Sequence, residues 1–273
     1  MSPRKLILTV AGFMVAMLSH PMSPAATADE SPLFASIEQL FLQYNRDGGT
    51  QVGDQVGDTA DTTYSSSPRL TVGTMNSDGL GGLFRVWQFD HLYPTLAGEG
   101  YLSVESESYD FEIFKRYYHG DATAFDLSFG LRYLDFDEIL FDESLGIPNL
   151  GRNTVSGLGG YLGAQVSHQL GQGALSFSGR KSLLAADKSI VDSNDFPFEV
   201  QDSNFSITEI AVRYHVEQKI KKGNLLLGVG VEWQQWNNFS SGYDLGDDTP
   251  TDFRGTGADV GFFGFGWSVG YEF

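Results

Sequence analysis

The sequence lacks cysteine, which excludes disulfide bonds, thiolate metal sites and thiol nucleophiles. Only 17 of its 273 residues are lysine or arginine, against 35 aspartates and glutamates. That balance argues against a nucleic-acid ligand, which requires a basic face. Beyond the N-terminal region, no uninterrupted apolar run reaches the ~18 residues that indicate a transmembrane helix. A thiol enzyme is therefore excluded, and the sequence argues against a nucleic-acid-binding protein and a helical membrane protein.

The first 28 residues are organised as an export signal. Basic residues at 4–5 precede an apolar run of 13 residues, which is shorter than the ~20 that a membrane helix needs. Small residues at 26–28 fit the cleavage pattern, with 23–25 as the alternative. We predict a signal peptide over 1–28, rather than a buried N-terminal helix, and one mature domain over 29–273.

The C-terminal segment carries the strongest secondary-structure signal. Its apolar residues alternate with glycine, serine and glutamate, and they are Phe263, Phe265, Trp267, Val269, Tyr271 and Phe273. A period of two residues is typical of a β-strand with two different faces. Similar patterns upstream predict ten strands in all, at about 35–44, 67–75, 81–90, 109–113, 125–133, 154–170, 173–185, 208–216, 225–233 and 263–273.

The connections between the predicted strands alternate in length. Short turns are predicted at 76–79, 118–122, 171–173 and 219–223, and long loops at 45–66, 91–100, 137–153, 186–205 and 237–257. A backbone that crosses lipid must satisfy its own hydrogen bonds, so only a closed barrel suits strands there. We predict an all-β, antiparallel, up-and-down transmembrane barrel of ten strands, with eight or twelve as alternatives. A secreted β-sandwich is the competing interpretation, but it would leave aromatic faces without a partner.

The C-terminal strand and an internal repeat carry a family resemblance. A last strand that ends in an aromatic residue resembles outer-membrane β-barrel proteins, in which the assembly machinery reads that residue. RVWQFD at 85–90 and RYLDFD at 132–137 share arginine, phenylalanine and aspartate in register. With ASIEQLFLQ, YDFEI and the terminal YEF, the repeat is similar to the legionella-type major outer-membrane protein family of pore-forming barrels. The resemblance implies a porin-like role in the bacterial outer membrane, the barrel-assembly machinery as a partner, and an assembly signal formed by Trp267, Val269, Tyr271 and Phe273.

The predicted lumen face carries charges of both signs. Such groups avoid the lipid face, where a charge costs ~2–4 kcal/mol at the midplane. The predicted pore-lining residues are Arg85, Asp110, Glu112, Arg116, Asp126, Arg132, Arg180, Glu209, Arg213, Glu217 and Glu232. They either line a narrow polar pathway or pair into a network that plugs the barrel. Inward glycines either open a passage or receive the arginines opposite, and ten strands lie near the size at which side chains fill a lumen.

The functional prediction follows from the charges. The long loops are strongly acidic, and lumen carboxylates outnumber lumen arginines, which favours cations. We predict a porin-like channel for passive diffusion of small solutes or cations. The alternative is a closed structural or surface-recognition barrel whose acidic loops bind ligands, divalent cations or lipopolysaccharide. Asp54, Asp58 and Asp61 are candidate oxygen ligands for such a cation.

Catalytic and cofactor sites are not predicted. His215 shares a strand face with Glu209 and Glu217, which is a plausible acid–base arrangement, but no nucleophile stands at a suitable spacing. The expected contacts are outer-membrane lipid and small solutes, with a homo-oligomer as one alternative for the assembly state. No cofactor is expected.

Overall fold

The computed structural model describes residues 33–46, 50–52, 55–57, 63–94, 100–142, 147–192, 197–221, 223–241 and 257–273. Within these ranges no helix is long and apolar enough to cross a membrane. The described chain is all β. Its strands are β1 (Leu33–Arg46), β2 (Thr50–Val52), β3 (Gln55–Gly57), β4 (Ser65–Met75), β5 (Leu80–Pro94), β6 (Gly100–His119), β7 (Thr123–Asp142), β8 (Ile147–Leu170), β9 (Gly173–Asp192), β10 (Pro197–Ile220), β11 (Gly223–Ser241) and β12 (Gly257–Glu272).

Ten of these strands form a closed barrel in the order β1-β12-β11-β10-β9-β8-β7-β6-β5-β4, while β2 and β3 pair separately. The first strand closes the barrel, because Ile37 lies opposite Leu70 of β4 on one side and Val269 of β12 on the other. Each neighbouring pair in the barrel is antiparallel. The predicted ten-stranded, up-and-down barrel is confirmed.

Short turns join the strands at one end of the barrel, which we call the turn end. Residues 76–79, 120–122 and 171–172 form such turns, within the positions predicted for them. Gly120 and Gly171 have φ angles of 62° and 65°. A Cβ at either glycine would meet no atom within 4 Å. The left-handed backbone, rather than crowding, therefore accounts for glycine at both positions.

At the opposite end the strands continue into segments that the sequence predicts as long loops. β7 runs to Asp142 and β8 begins at Ile147, so most of the predicted loop 137–153 is strand. β9 and β10 likewise occupy much of 186–205, and the predicted extents of these loops are wrong. The sequence pattern does not predict these strand ends, because their outward residues become polar there.

The outer surface has two zones, an apolar band next to the turn end and a polar zone beyond it, which we call the extension. On β7 the outward Phe129 and Leu131 are 57% and 59% exposed. Two positions past the outward Tyr133, the outward residues become Asp135 and Asp137. An exposed apolar band on a closed barrel is the pattern that a lipid bilayer requires.

The inner face of β7 shows the reverse arrangement. Asp126 and Arg132 point inward at the level of the apolar band, and Leu134 and Phe136 point inward in the extension, where both are at most 1% exposed. The two faces of the strand therefore exchange character where the band meets the extension. The lumen consequently has a polar part and an apolar part.

Candidate functional site

A layer of charged side chains, which we call the charged belt, crosses the lumen inside the apolar band. Five arginines and five carboxylates form it: Arg69, Arg85, Arg132, Arg180, Arg213, Glu38, Asp110, Glu112, Glu209 and Glu232. The formal charges of this set cancel. The excess of carboxylates over arginines that the sequence predicts for the whole lumen therefore does not arise within the belt.

The first half of the belt joins β1, β4, β10 and β11. Arg69 donates two hydrogen bonds to Glu232, at 2.6 and 2.7 Å, and one to Glu38 at 3.1 Å. Arg213 contacts the same two carboxylates, at 2.9 Å to Glu38 and 2.7 Å to Glu232. Two arginines and two glutamates from four strands thus form a closed ring of ion pairs.

The second half joins β6, β7, β9 and β10. Arg132 donates two hydrogen bonds of 2.7 Å to Asp110 and lies 2.8 Å from Glu209. Arg180 bridges the same carboxylates, at 3.2 Å to Asp110 and 3.0 Å to Glu209. These four side chains are largely buried. Loss of any one of them would therefore leave a buried charge without its partner, which destabilises the fold.

Arg85 and Glu112 complete the belt with weaker contacts. The Arg85 Nη1 atom lies 3.6 Å from Asp110 and 3.9 Å from Glu112, beyond hydrogen-bonding distance. Glu112 accepts a hydrogen bond of 2.8 Å from the Tyr161 hydroxyl. Tyr161 also stacks near Arg132 and Arg180, with each guanidinium 5.6 Å from the ring centre. The tyrosine therefore ties this edge of the belt to the rest.

Glycines on neighbouring strands make room for the long side chains of the belt. Gly163 lies opposite Arg180, and Gly230 lies opposite Arg213. A Cβ at Gly163 would come 3.1 Å from the Arg180 Cγ, and one at Gly230 would come 2.7 Å from the Arg213 Cγ. Of the two alternatives for the inward glycines, the structure thus supports reception of the arginines at these positions.

An apolar cluster, which we call the plug, fills the lumen on the extension side of the belt. Its members are Leu40, Leu42, Tyr44, Trp87, Phe89, Tyr93, Leu102, Val104, Leu134, Phe136, Val155, Leu184, Ala186, Phe205, Ile207, Trp236, Phe239, Val260 and Phe262. Trp236 of β11 lies at its centre, with ring centres 6.2 Å from Trp87 of β5 and 6.0 Å from Phe136 of β7. In the strand order, β5 and β7 lie across the barrel from β11. The rings therefore meet in the middle of the lumen.

The internal repeat in the sequence marks the junction of belt and plug. Arg85 and Arg132 begin its two copies and contact Asp110 from the two sides of β6. The third and fifth residues of each copy are the plug residues Trp87, Phe89, Leu134 and Phe136. The repeat is thus the same transition from charged to apolar lumen, made on two strands.

The remaining predicted lumen residues lie nearer the turn end. Arg116 and Asp126 form a pair with two hydrogen bonds of 2.8 Å, and Glu217 is exposed on the last part of β10. A cavity of about 280 Å³ lies between this pair and the belt. Glu209, which the sequence groups with His215, is bonded to Arg180 instead.

The residues of the predicted assembly signal lie on the last strand and just beyond it. Trp267 and Val269 point outward and are 47% and 40% exposed. The Phe273 amide donates a hydrogen bond of 2.9 Å to the Leu33 carbonyl, and its ring lies 4.6 Å from that of Tyr271. Recognition of these residues by the assembly machinery stays a prediction.

Two belt residues, Glu38 and Arg69, are missing from the predicted set. They lie on β1 and β4, the strands with the least regular alternation in the sequence. The signal peptide at 1–28 and the candidate cation ligands Asp54, Asp58 and Asp61 lie outside the described residues. Among the residues that the structure does describe, no cluster of three or more histidines or carboxylates could hold a metal ion.

The fold and its apolar band define a closed barrel of the transmembrane type. Among solved structures, the outer membrane protease OmpT from Escherichia coli matches with a TM-score of 0.52 at 10% identity, over 92% of this chain and 99% of that one. The translocator domain of the autotransporter NalP from Neisseria meningitidis has a TM-score of 0.48 at 14% identity, over 97% and 96%. A major outer membrane protein from Thermus thermophilus has a TM-score of 0.43 at 12% identity, over 89% and 99%.

No protein-family model matches the sequence, and no curated protein sequence matches it either. The likeness to OmpT supports the barrel fold and nothing finer. Membership of the legionella-type family stays a prediction.

Proposed function

We propose that this protein is an integral outer-membrane barrel that is closed to diffusion and presents its extension at the cell surface as a structural or recognition element. The plug carries this proposal. Trp236, Phe136 and Trp87 meet across the lumen and are at most 3% exposed. Protein interiors pack as densely as organic crystals, so an aromatic core of this kind excludes a file of water molecules.

The placement in the membrane is supported by the two outer zones. The apolar band meets lipid, the short turns face the periplasm, and the extension faces the outside, as in barrels with this order of short and long connections. The export signal predicted over 1–28 agrees with this placement.

The charged belt supports a structural role inside the band. Four of its arginines and four of its carboxylates form close ion pairs across the lumen, and Arg85 and Glu112 add weaker contacts. A set of charges that is balanced in sign has little net field with which to select cations. We therefore propose that the belt holds the strands in position around the barrel.

Planar-bilayer recording tests this proposal. Folded wild-type protein is expected to give no conductance steps. A Trp236→Ala, Phe262→Ala double variant removes two plug rings and is expected to give steps, which shows that the recording detects an opened barrel. Trp233→Ala is the matched control, because Trp233 lies on the same strand but points outward and is 38% exposed. Steps from the wild type would overturn the closed-barrel proposal.

A channel for small solutes or cations is the second candidate function. The cavity of about 280 Å³ favours it, since belt residues and the Arg116–Asp126 pair line the space between the belt and the turn end. Transport would require the plug to move. Wild-type conductance with cation preference would support this candidate.

A further inference from the structure

On β9 a charged side chain interrupts the apolar band. On β9 the outward residues run Leu175, Phe177, Gly179, Lys181, Leu183. Lys181 is exposed and is the one charged residue amid this row, whereas its neighbour Arg180 points inward to the belt. Lys181 pairs in register with Leu162 of β8, which is 71% exposed. A charge in such a place is costly on a lipid face unless it has a polar partner.

The lysine leans toward the extension. Its Nζ donates hydrogen bonds of 2.9 Å to the Ser206 hydroxyl and 2.8 Å to the Thr208 hydroxyl. Ser206 lies opposite Leu183, two residues nearer the extension than Lys181. Lysines near the edge of a membrane extend in this way to bring the ammonium group to the polar boundary.

The three groups form a set of donors with unused protons. An ammonium group has three N–H donors, and two of them are occupied by the hydroxyl oxygens. Each hydroxyl accepts from the lysine and keeps its own O–H free to donate. One ammonium proton and two hydroxyl protons can thus converge on a single oxyanion, which is the pattern that recognises a phosphate group.

We propose that Lys181, Ser206 and Thr208 bind the phosphate of an outer-leaflet lipid whose acyl chains lie along the apolar band. This rests on the outer-membrane placement proposed above, which supplies the lipid. A second copy of this chain is a poorer occupant, because a two-fold axis at this patch would bring Lys181 against its own counterpart. Like charges placed in this way repel.

Native mass spectrometry of folded protein in a neutral detergent tests the site. The probes are lipid A with its two phosphates and the same lipid with the phosphates removed. Wild type is expected to bind the phosphorylated lipid about tenfold more tightly than Lys181→Gln, since hydrogen bonds to charged groups are worth about that factor or more. Thr208→Val, which keeps the charge, is expected to lose less. The dephosphorylated lipid is expected to bind all three proteins equally.

Lys115→Gln is the matched control. Lys115 is another lysine on the outer face, but its Nζ donates to the Asp78 carbonyl at the turn end, and its loss is expected to leave lipid A binding unchanged. Equal binding of phosphorylated lipid A by wild type and Lys181→Gln would overturn the proposal. So would a change from dimer to monomer in Lys181→Gln without a change in lipid binding. Bilayer conductance plays no part in this readout, so the closed-barrel proposal and this one can fail separately.

Discussion

Arg213 and Gly230 lie opposite one another on β10 and β11, and the arginine occupies the space that the absent side chain leaves. A Cβ at Gly230 would come 2.7 Å from the Arg213 Cγ and 2.6 Å from the Val212 carbonyl oxygen. The same opposition of charge and glycine recurs at Arg132 and Gly159. The belt therefore depends on small residues on the inner wall as well as on its charges.

Replacing Gly230 with alanine tests this dependence. The new methyl group meets backbone that cannot move away, so we expect the free energy of unfolding to fall by about 1–3 kcal/mol. Urea unfolding in lipid vesicles measures it. Gly82→Ala is the control, because a Cβ there would meet its nearest atom at 3.5 Å. Equal stability of the two variants would contradict the packing argument.

Glu232→Gln tests the ion pairs. Glu232 accepts from Arg69 and Arg213, and its side chain is 4% exposed. Removing one partner of a buried pair leaves uncompensated charge, so we expect a loss of about 3–5 kcal/mol in the free energy of unfolding. Glu217→Gln, at an exposed position on the same face of the lumen wall, is expected to change little. A near-neutral Glu232→Gln would contradict a stabilising role for these ion pairs.

Lys188 gives the extension a distinct pH dependence. Its Nζ is buried in the extension beside the Asn238 carbonyl, and burial lowers the pKa of Lys188 from 10.5 to about 8. Between these values the unfolded chain binds more protons than the folded one, so stability rises with pH. We expect wild type to gain about 1–3 kcal/mol relative to Lys188→Met between pH 8 and 10.5. Parallel stability curves for the two proteins would refute this.

Phe273→Asp tests the predicted assembly signal. The Phe273 amide is bonded to the first strand of the barrel, so its main-chain contact survives the substitution. We expect a smaller folded fraction in the outer membrane, judged by heat-modifiable gel mobility. Leu33→Asp, at the other side of that hydrogen bond, separates loss of assembly from local destabilisation. Normal insertion of Phe273→Asp would remove the support for a C-terminal signal.

Single cysteines test the orientation, because the chain has none of its own. Asp187→Cys, exposed on the extension, is expected to react with an impermeant reagent added to intact cells. Lys221→Cys, at the turn end, is expected to react only after the membrane is opened. The opposite result would invert the barrel.

The strands and short turns could be predicted from the sequence because lipid imposes one parity on the apolar residues. On β7 that parity is odd as far as Tyr133 and becomes even at Leu134 and Phe136. A prediction that expects apolar residues at odd positions throughout the strand ends the strand at this point. It then assigns the extension to loops. The plug is not predicted for the same reason, although the internal repeat contains four of its residues.

The partners of the belt could not be predicted at all. Arg69 and Glu232 are 163 residues apart, and they meet only because closure sets the register around the whole barrel. Alternation places each charge on the inner wall but says nothing of the height or angle at which it lies. The choice between an open pathway and a paired network therefore needed three-dimensional structure.

The inner and outer faces of β7 exchange character along the strand. The barrel therefore has two parts, in which apolar residues lie on opposite faces of the wall. In the apolar band the outer surface is apolar and the lumen is polar. Folding of this part therefore gains little stability from the removal of apolar surface from water. The extension has the reverse arrangement, with a polar outer surface around the aromatic rings of the plug, as in a water-soluble barrel. The extension holds the apolar cluster of the plug, so it carries most of the heat-capacity signature of apolar burial, and cooling weakens it more than it weakens the band. The extension is thus the part of the barrel whose stability responds more to temperature.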